Sequence, residues 1–103
     1  MRFTFIGWRR LTLLSVTFLL LACRAQLEAD FKYTPTHPLV GEAVAFVNTS
    51  EHAKSFSWNF GDGTIVDEEN PTHAFNNPGS YSVSLTAGNG NRTDTKVVVI
   101  VVN

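Results

Sequence analysis

The stretch SFSWNFGDGT, residues 55–64, predicts the fold of this 103-residue chain. Large aromatic residues alternate there with small polar ones at Phe56, Trp58 and Phe60, a period of two that is typical of a β-strand with one buried face. The Gly-Asp-Gly sequence after it predicts a tight turn, because glycine adopts positive φ and aspartate accepts hydrogen bonds from nearby backbone amides. A catalytic or metal-binding Asp62 is the alternative, but the sequence shows no second group placed to cooperate with it.

The chain after residue 30 repeats this pattern in short alternating segments that are separated by Gly, Pro, Asn and Asp. No long helical periodicity is present, and the spacing of the turn residues is typical of an all-β sandwich or barrel. Trp58 is expected at the centre of the core, because large aromatic residues dominate small cores. The predicted strands cover residues 31–34, 43–48, 55–60, 64–66, 72–75, 80–86 and 95–102.

The first 22 residues have the features of an export signal. Arg2, Arg9 and Arg10 precede an uncharged, mostly apolar run of 12 residues at 11–22. A helix of that length is too short to span a bilayer core, which needs about 20 residues. We therefore expect residues 1–22 to be a secretory signal peptide rather than a retained membrane anchor.

Two cleavage sites are compatible with this signal. Residues 20–23, LLAC, resemble the lipobox of bacterial lipoproteins, in which the cysteine becomes the first mature residue and carries lipid such as palmitate. Cys23 is the single cysteine of the chain, so no internal disulfide can form, and acylation would account for a lone thiol in an exported protein. Several acyl chains on Cys23 would hold the protein stably at a membrane. The alternative is ordinary cleavage after Ala25, which would give a soluble secreted or periplasmic protein.

Composition limits the possible functions of the chain beyond the signal. Loss of residues 1–22 leaves 81 residues with five of the eight basic residues and all nine acidic ones, a net charge of −4. A nucleic-acid surface would need clustered Lys and Arg, so nucleic acid is not expected as a partner. A chain of this size buries one modest core. We therefore predict a tether at 23–29 and a single domain at 30–103.

Three sequence blocks together resemble the PKD domain family, named for polycystic kidney disease protein. They are SFSWNFGDGT, NPTHAF at 70–75 and PGSYSVSLTAGN at 78–89, and they occur in the family's order and at suitable spacing. The resemblance covers residues 29–102 and departs from the family pattern at Phe75, where Tyr is usual. The residues that match the family's structural signature are Trp58, Phe60, Gly61, Asp62, Gly63, Asn70, Pro71, His73, Pro78, Gly79, Tyr81, Val83 and Leu85.

This resemblance implies an immunoglobulin-like β-sandwich of about seven strands in two sheets. It also implies a module for extracellular contacts with protein or carbohydrate, usually without catalytic activity. By this match the signature residues fix the fold and are not site residues.

Other candidate chemistry is weak. Asp67, Glu68, Glu69 and Asn70 supply the oxygen atoms that calcium prefers, but the acid spacing and central glycine of an EF-hand loop are missing, which favours a solvated acidic loop. The three histidines fit no zinc pattern, and His73 is expected to hydrogen-bond locally beside the Asn-Pro turn. The sequence contains no G-x-S-x-G, P-loop or H-E-x-x-H motif, so neither an enzyme nor a cofactor is expected.

The last predicted strand is apolar on both faces. The family pattern places Val98, Ile100 and Val102 inward, which leaves Val97, Val99 and Val101 outward at a period of two. A stripe of this kind on a terminal strand is typical of a docking surface for a partner protein or a second copy, and the alternative is an ordinary apolar surface strand.

The sequence therefore predicts a non-enzymatic module, lipid-anchored at the cell envelope, that makes protein–protein contacts. The alternative is a carbohydrate-binding or adhesion module of the cell surface, whose partner would be a polysaccharide. Sugar sites usually present exposed aromatic rings, and most aromatic residues here fall at core positions. Tyr33 and Phe31 are the two expected to be available for such a site.

Overall fold

The computed structural model of the protein describes residues 26–103, which form two antiparallel β-sheets packed face to face. The predicted signal peptide, Cys23 and the two cleavage sites lie outside the described residues. Within 26–103 there is no helix long and apolar enough to cross a membrane. The strands are β1 (Phe31–Thr34), β2 (Ala43–Asn48), β3 (Ser55–Asn59), β4 (Ile65–Val66), β5 (Thr72–Ala74), β6 (Gly79–Gly88) and β7 (Thr93–Val102).

The strands divide into a three-stranded sheet, in the order β1-β2-β5, and a four-stranded sheet, in the order β4-β3-β6-β7. Every pairing is antiparallel. Each strand turns alternate side chains toward the space between the sheets, as the period-two pattern requires. This arrangement confirms the prediction of an immunoglobulin-like β-sandwich.

Strand boundaries differ from the prediction at both ends of the domain. β7 begins at Thr93 rather than at residue 95, because the tight turn at 89–92 allows β6 and β7 to pair over ten residues each. At the other end, Glu28 pairs with Glu51 and Ala29 is 6% exposed, although the sequence predicts both to lie in the tether. The sandwich therefore begins before residue 30.

Trp58 lies at the centre of the core and is 0% exposed. Its ring centroid lies 5.0 Å from that of Phe31, 5.4 Å from that of Phe46 and 6.2 Å from that of Phe60. These rings come from both sheets, so their burial is the main hydrophobic contact between the layers. The expectation that Phe31 is available at the surface is wrong, because it is 6% exposed and packs edge-on against the indole. The buried core cluster comprises Phe31, Val44, Phe46, Trp58, Phe60, Phe75, Val83, Leu85, Ile100 and Val102.

The two glycines that come after β3 serve different purposes. Gly61 and Gly63 both have positive φ, at 80° and 95°. A Cβ atom on Gly61 would lie 2.8 Å from the backbone oxygen of Ser82 on β6, whereas a Cβ on Gly63 would meet nothing within 4 Å. Gly63 is therefore required by conformation alone, and Gly61 by conformation together with close approach to the neighbouring strand.

Replacing each glycine with alanine separates these two requirements. We expect Gly63→Ala to cost about 1 kcal/mol of unfolding free energy, the order of the left-handed penalty for a residue with a Cβ. Gly61→Ala should cost at least about 2 kcal/mol, because the backbone of β6 must also shift. Urea unfolding followed by circular dichroism measures both values. Equal costs at the two positions would contradict the close-approach argument.

Candidate functional site

Asp62 and His73 form an ion pair or hydrogen bond that joins the two sheets. The Nε2 atom of His73 on β5 lies 2.7 Å from Oδ2 of Asp62, which belongs to the turn after β3. The His73 ring stacks on Phe60, with centroids 4.2 Å apart and planes at 6°, and meets Phe75 edge-on at 4.8 Å. The prediction of a local hydrogen bond for His73 is wrong, because its partner is eleven residues away in sequence, in the turn that connects β3 and β4 of the other sheet.

The surroundings of Asp62 lower its pKa from the usual value. Partial burial acts to raise the pKa, but hydrogen bonds from His73 and from the Thr64 backbone N–H, with the attraction of the His73 ring, outweigh it. Asp62 Oδ1 accepts the Thr64 N–H at 3.1 Å, as the turn chemistry predicts. Both oxygens of the carboxylate are therefore engaged in holding the fold.

The pair does not lie in the open depression beside the N-terminal segment. That depression, about 560 Å³ in volume, is lined by residues 26–27 and 89–94. The side chains of His73 and Asp62 are 14% and 22% exposed, and the His73 ring packs against Phe60 and Phe75. We interpret the pair as a connection between the sheets rather than as acid–base chemistry.

The acidic loop after β4 is attached to the core by its backbone. The indole Nε1–H of Trp58 donates to the carbonyl oxygen of Glu68 at 2.9 Å. The side-chain oxygen of Asn70 accepts the backbone N–H of Asn48 at 2.8 Å. Among residues 26–103 no group of three or more His, Cys, Asp or Glu side chains is arranged to hold a metal ion. Calcium binding by residues 67–70 stays the weaker of the two interpretations of this loop, after the solvated acidic loop that the sequence favours.

The remaining signature residues support the second half of the sandwich. Pro71 is fully buried beside the start of β5. The Tyr81 hydroxyl donates to the backbone carbonyl of Asn77 at 2.7 Å, and its ring packs 4.4 Å from that of Phe75. Phe75 is 1% exposed, so a ring without a hydroxyl fills this place without needing a hydrogen-bond partner.

The outer face of the four-stranded sheet is the largest feature that packing within the sandwich does not use. Val97, Val99 and Val101 of β7, called the valine stripe below, are 56%, 58% and 51% exposed. The stripe lies opposite a row of serines on β6. The outer face of the four-stranded sheet consists of the valine stripe together with Ser55, Ser57, Asn59, Ile65, Ser80, Ser82, Ser84, Thr86 and Thr95.

This face is uncharged and has no aromatic residue. The exposed large hydrophobic residues of the described chain are all aliphatic. Tyr33 is half-buried, with its ring 6.1 Å from that of Phe46. An aromatic platform for sugar rings is therefore missing from residues 26–103, and the valine stripe is the best candidate for a contact surface.

Comparison with known proteins gives a consistent family assignment. The family model described as the PKD domain matches residues 24–102. The chain is 40% identical over 74 residues to collagenase ColA from Bacillus cereus and 38% identical over 69 residues to a microbial collagenase from Vibrio alginolyticus. These matches cover 63% and 59% of this chain but only 8% of each collagenase. The chain thus corresponds to a small part of these enzymes.

Solved structures share the fold. A PKD domain of the metalloprotease PrtV from Vibrio cholerae has a TM-score of 0.65 and 32% identity, over 75% of this chain and 96% of that one. A structure described as a study of the promiscuous specificity of carbohydrate-binding modules from the β-sandwich superfamily has a TM-score of 0.70 and 27% identity. That match covers 78% of this chain and 36% of the other.

The lowered pKa of Asp62 predicts how the domain responds to acid. A carboxylate whose pKa is lower folded than unfolded stabilises the fold above its unfolded pKa, and that contribution is lost as the pH falls through the folded value. We therefore expect the wild-type domain to lose stability below about pH 4. Asp62→Asn should remove part of this pH dependence and lower the stability at pH 7. Urea unfolding at pH 7 and pH 3 measures the difference, and identical pH profiles would contradict a folding role for the carboxylate.

Proposed function

We propose a function for this chain on the premise that it belongs to the PKD domain family: it acts as a non-catalytic, extracytoplasmic module that contacts other proteins. The observation that carries this proposal is the outer face, which is uncharged and presents the valine stripe to solvent. Apolar side chains at a period of two on a sheet surface form a contact that buries area without desolvating charge. The rest of the sandwich positions this face and keeps it rigid.

A non-enzymatic role agrees with the chemistry of the domain. Catalysis usually needs two cooperating groups in a cleft. In this chain Asp62 and His73 bind each other and thereby connect the two sheets, so their pairing needs no catalytic explanation. The matched region makes up only 8% of each collagenase to which the chain is similar, so the activity of those enzymes is not transferred to it.

Lipid attachment at Cys23 is part of the proposal. The signal-like residues 1–22 and the lipobox-like sequence LLAC support export followed by acylation. Glu28 is already paired with Glu51 in the sandwich. A lipidated Cys23 would therefore hold the domain within a few residues of the membrane, at the cell envelope. Cleavage after Ala25 would instead release a soluble exported domain.

Binding of a polysaccharide is the second candidate function. The similarity to the structure of carbohydrate-binding modules favours it. The missing aromatic platform among the described residues argues against it, since sugar faces usually stack on exposed rings. We therefore place protein contact first.

The first test replaces the valine stripe. The triple variant Val97→Thr, Val99→Thr and Val101→Thr keeps β-branched shape but replaces methyl groups with hydroxyls, so we expect binding to envelope fragments to weaken at least about tenfold. Binding of labelled protein to fragments treated with protease or with glycosidase gives the chemical class of the partner. Val47→Thr is the matched control, because Val47 is 49% exposed on the other sheet. Binding that survives protease and is lost after glycosidase would reject protein contact in favour of carbohydrate.

The second test concerns the anchor. Mass spectrometry of the mature protein should find an acylated N-terminal Cys23, and Cys23→Ser should abolish palmitate labelling. A wild-type mature chain that begins at Gln26 would show that ordinary cleavage occurs instead.

A further inference from the structure

The direction of the backbone groups along β7 is set by the turn that precedes it. The N–H of Asn89 donates to the carbonyl of Arg92 at 3.2 Å, so these residues form a hydrogen-bonded pair. Bonded and non-bonded pairs alternate along an antiparallel ladder. Every second residue from Thr93 to Val101 is therefore a non-bonded position with β6 and directs its N–H and C=O groups to the free edge. The valine stripe occupies three of these positions.

The end of the chain agrees with this alternation. Asn103 lies two residues beyond Val101, and it bonds on the side away from β6: its N–H donates to Pro38 and its carbonyl accepts from Val40, at 3.1 and 2.9 Å. The segment 38–40 therefore covers the edge at Asn103. Outside the ladder with β6, no backbone–backbone hydrogen bond within 26–103 involves the residues from Thr93 to Val101.

β7 differs from the other edge strands of the sandwich. β1, β4 and β5 have four, two and three residues, whereas β7 has ten and pairs with β6 without interruption. Natural edge strands are usually short, or are protected by charge, proline or a bulge. β7 contains no proline.

The two charged residues of β7 do not protect its edge. Oδ2 of Asp94 accepts the backbone N–H of Ala29 at 2.8 Å, and Nζ of Lys96 lies 3.6 Å from Oδ1 of Asp30. Both side chains are thus directed to the segment before β1. The edge from Val97 to Val101 is uncharged, and within residues 26–103 no further backbone group is bonded to it.

We propose that β7 pairs antiparallel with β7 of a second copy of this chain, around a two-fold axis at Val97. The two four-stranded sheets then form one continuous eight-stranded sheet. This inference rests on the proposed function, because it names a second copy as the protein that the valine stripe contacts. The interface is isologous, so each copy contributes the same residues.

The position of the axis is fixed by the residues that neighbouring registers would bring together. An axis at Lys96 places two lysines opposite each other, which is unfavourable. An axis at Val98 or beyond is excluded because it places residues of the second copy against the segment 38–40. An axis at Thr95 is unfavourable because it leaves Val99 opposite the turn at 89–92 of the second copy, where no strand is available to pair. With the axis at Val97, Thr93 of each copy lies opposite Val101 of the other copy. Each chain then turns away at Arg92, before it reaches the edge at Asn103 of the other copy, which the segment 38–40 covers.

The properties of the edge favour a second copy over an unrelated chain. A partner strand must be uncharged and must carry apolar side chains on the outer side. Among the described strands β7 has these properties itself. Two-fold pairing places Val97 of one copy opposite Val97 of the other, so the two valine stripes meet end to end on the outer face. The pairing uses both long edges and leaves only short ones, so assembly stops at the dimer.

The first experiment measures self-association, by sedimentation equilibrium, of the mature chain from residue 23 onward with Cys23→Ser, which carries neither the signal peptide nor the lipid. We expect a concentration-dependent dimer whose dissociation constant rises at least about tenfold in Val97→Lys, because the two-fold axis brings two like charges together. Val99→Pro should weaken the dimer similarly, since it removes an N–H directed to the free edge and none that bonds β6. Val47→Lys is the matched control and should leave the dimer unchanged.

A second experiment tests the register and remains informative if a lysine or proline variant fails to fold. In the Cys23→Ser background, Val97→Cys supplies the sole thiol, and two residues on the axis have Cα atoms about 5.5 Å apart, within disulfide range. We expect an intermolecular disulfide to form at least about tenfold faster than in Val47→Cys. Equal rates, a monomer at every concentration, or a dimer unaffected by changes at Val97 and Val99 would each overturn the proposal.

These outcomes are separable from those of the proposed function. A monomer that still binds envelope protein through the valine stripe rejects the dimer and leaves the proposed function standing. A β7-linked dimer that binds no other envelope protein supports this inference and limits the partner to the second copy.

Discussion

The structure depends on the burial of Trp58 between its two sheets. Its indole contacts rings from both layers, and its single polar atom donates to the Glu68 carbonyl. A buried N–H without a partner would cost stability, so the acidic loop completes the core by accepting this bond. The loop is rich in charge, but its position is set by a neutral backbone group.

The Gly-Asp-Gly turn and His73 have a related role at the end of the sandwich. Asp62 accepts from the backbone of its own turn and from His73 of the other sheet, while the imidazole packs on Phe60. Residue types that elsewhere carry acid–base chemistry here hold two layers in position. The lowered pKa of Asp62 is the electrostatic consequence of these bonds, and it makes the connection sensitive to acid.

The same alternation that builds the core also creates the contact surface. Ile100 and Val102 of β7 are buried, so Val97, Val99 and Val101, which alternate with them, face outward. In the observed register these residues also direct their backbone groups to the free edge. One strand therefore supplies an apolar stripe and an open row of donors and acceptors at identical positions. This coincidence connects a contact role of the outer face to the proposed pairing of two copies.

The sequence by itself determined the strands and the central position of Trp58, because period-two alternation is a local property of a half-buried strand. The last strand is apolar on both faces, so the outward direction of the valine stripe came from the resemblance to the family. Tertiary structure alone decided the partner of His73, the carbonyl that receives the indole N–H, and the burial of Phe31. It also brought Glu28 and Ala29 into the domain. Alternation shows which side of a strand is covered, but what covers it depends on how two sheets, distant in sequence, are positioned over each other.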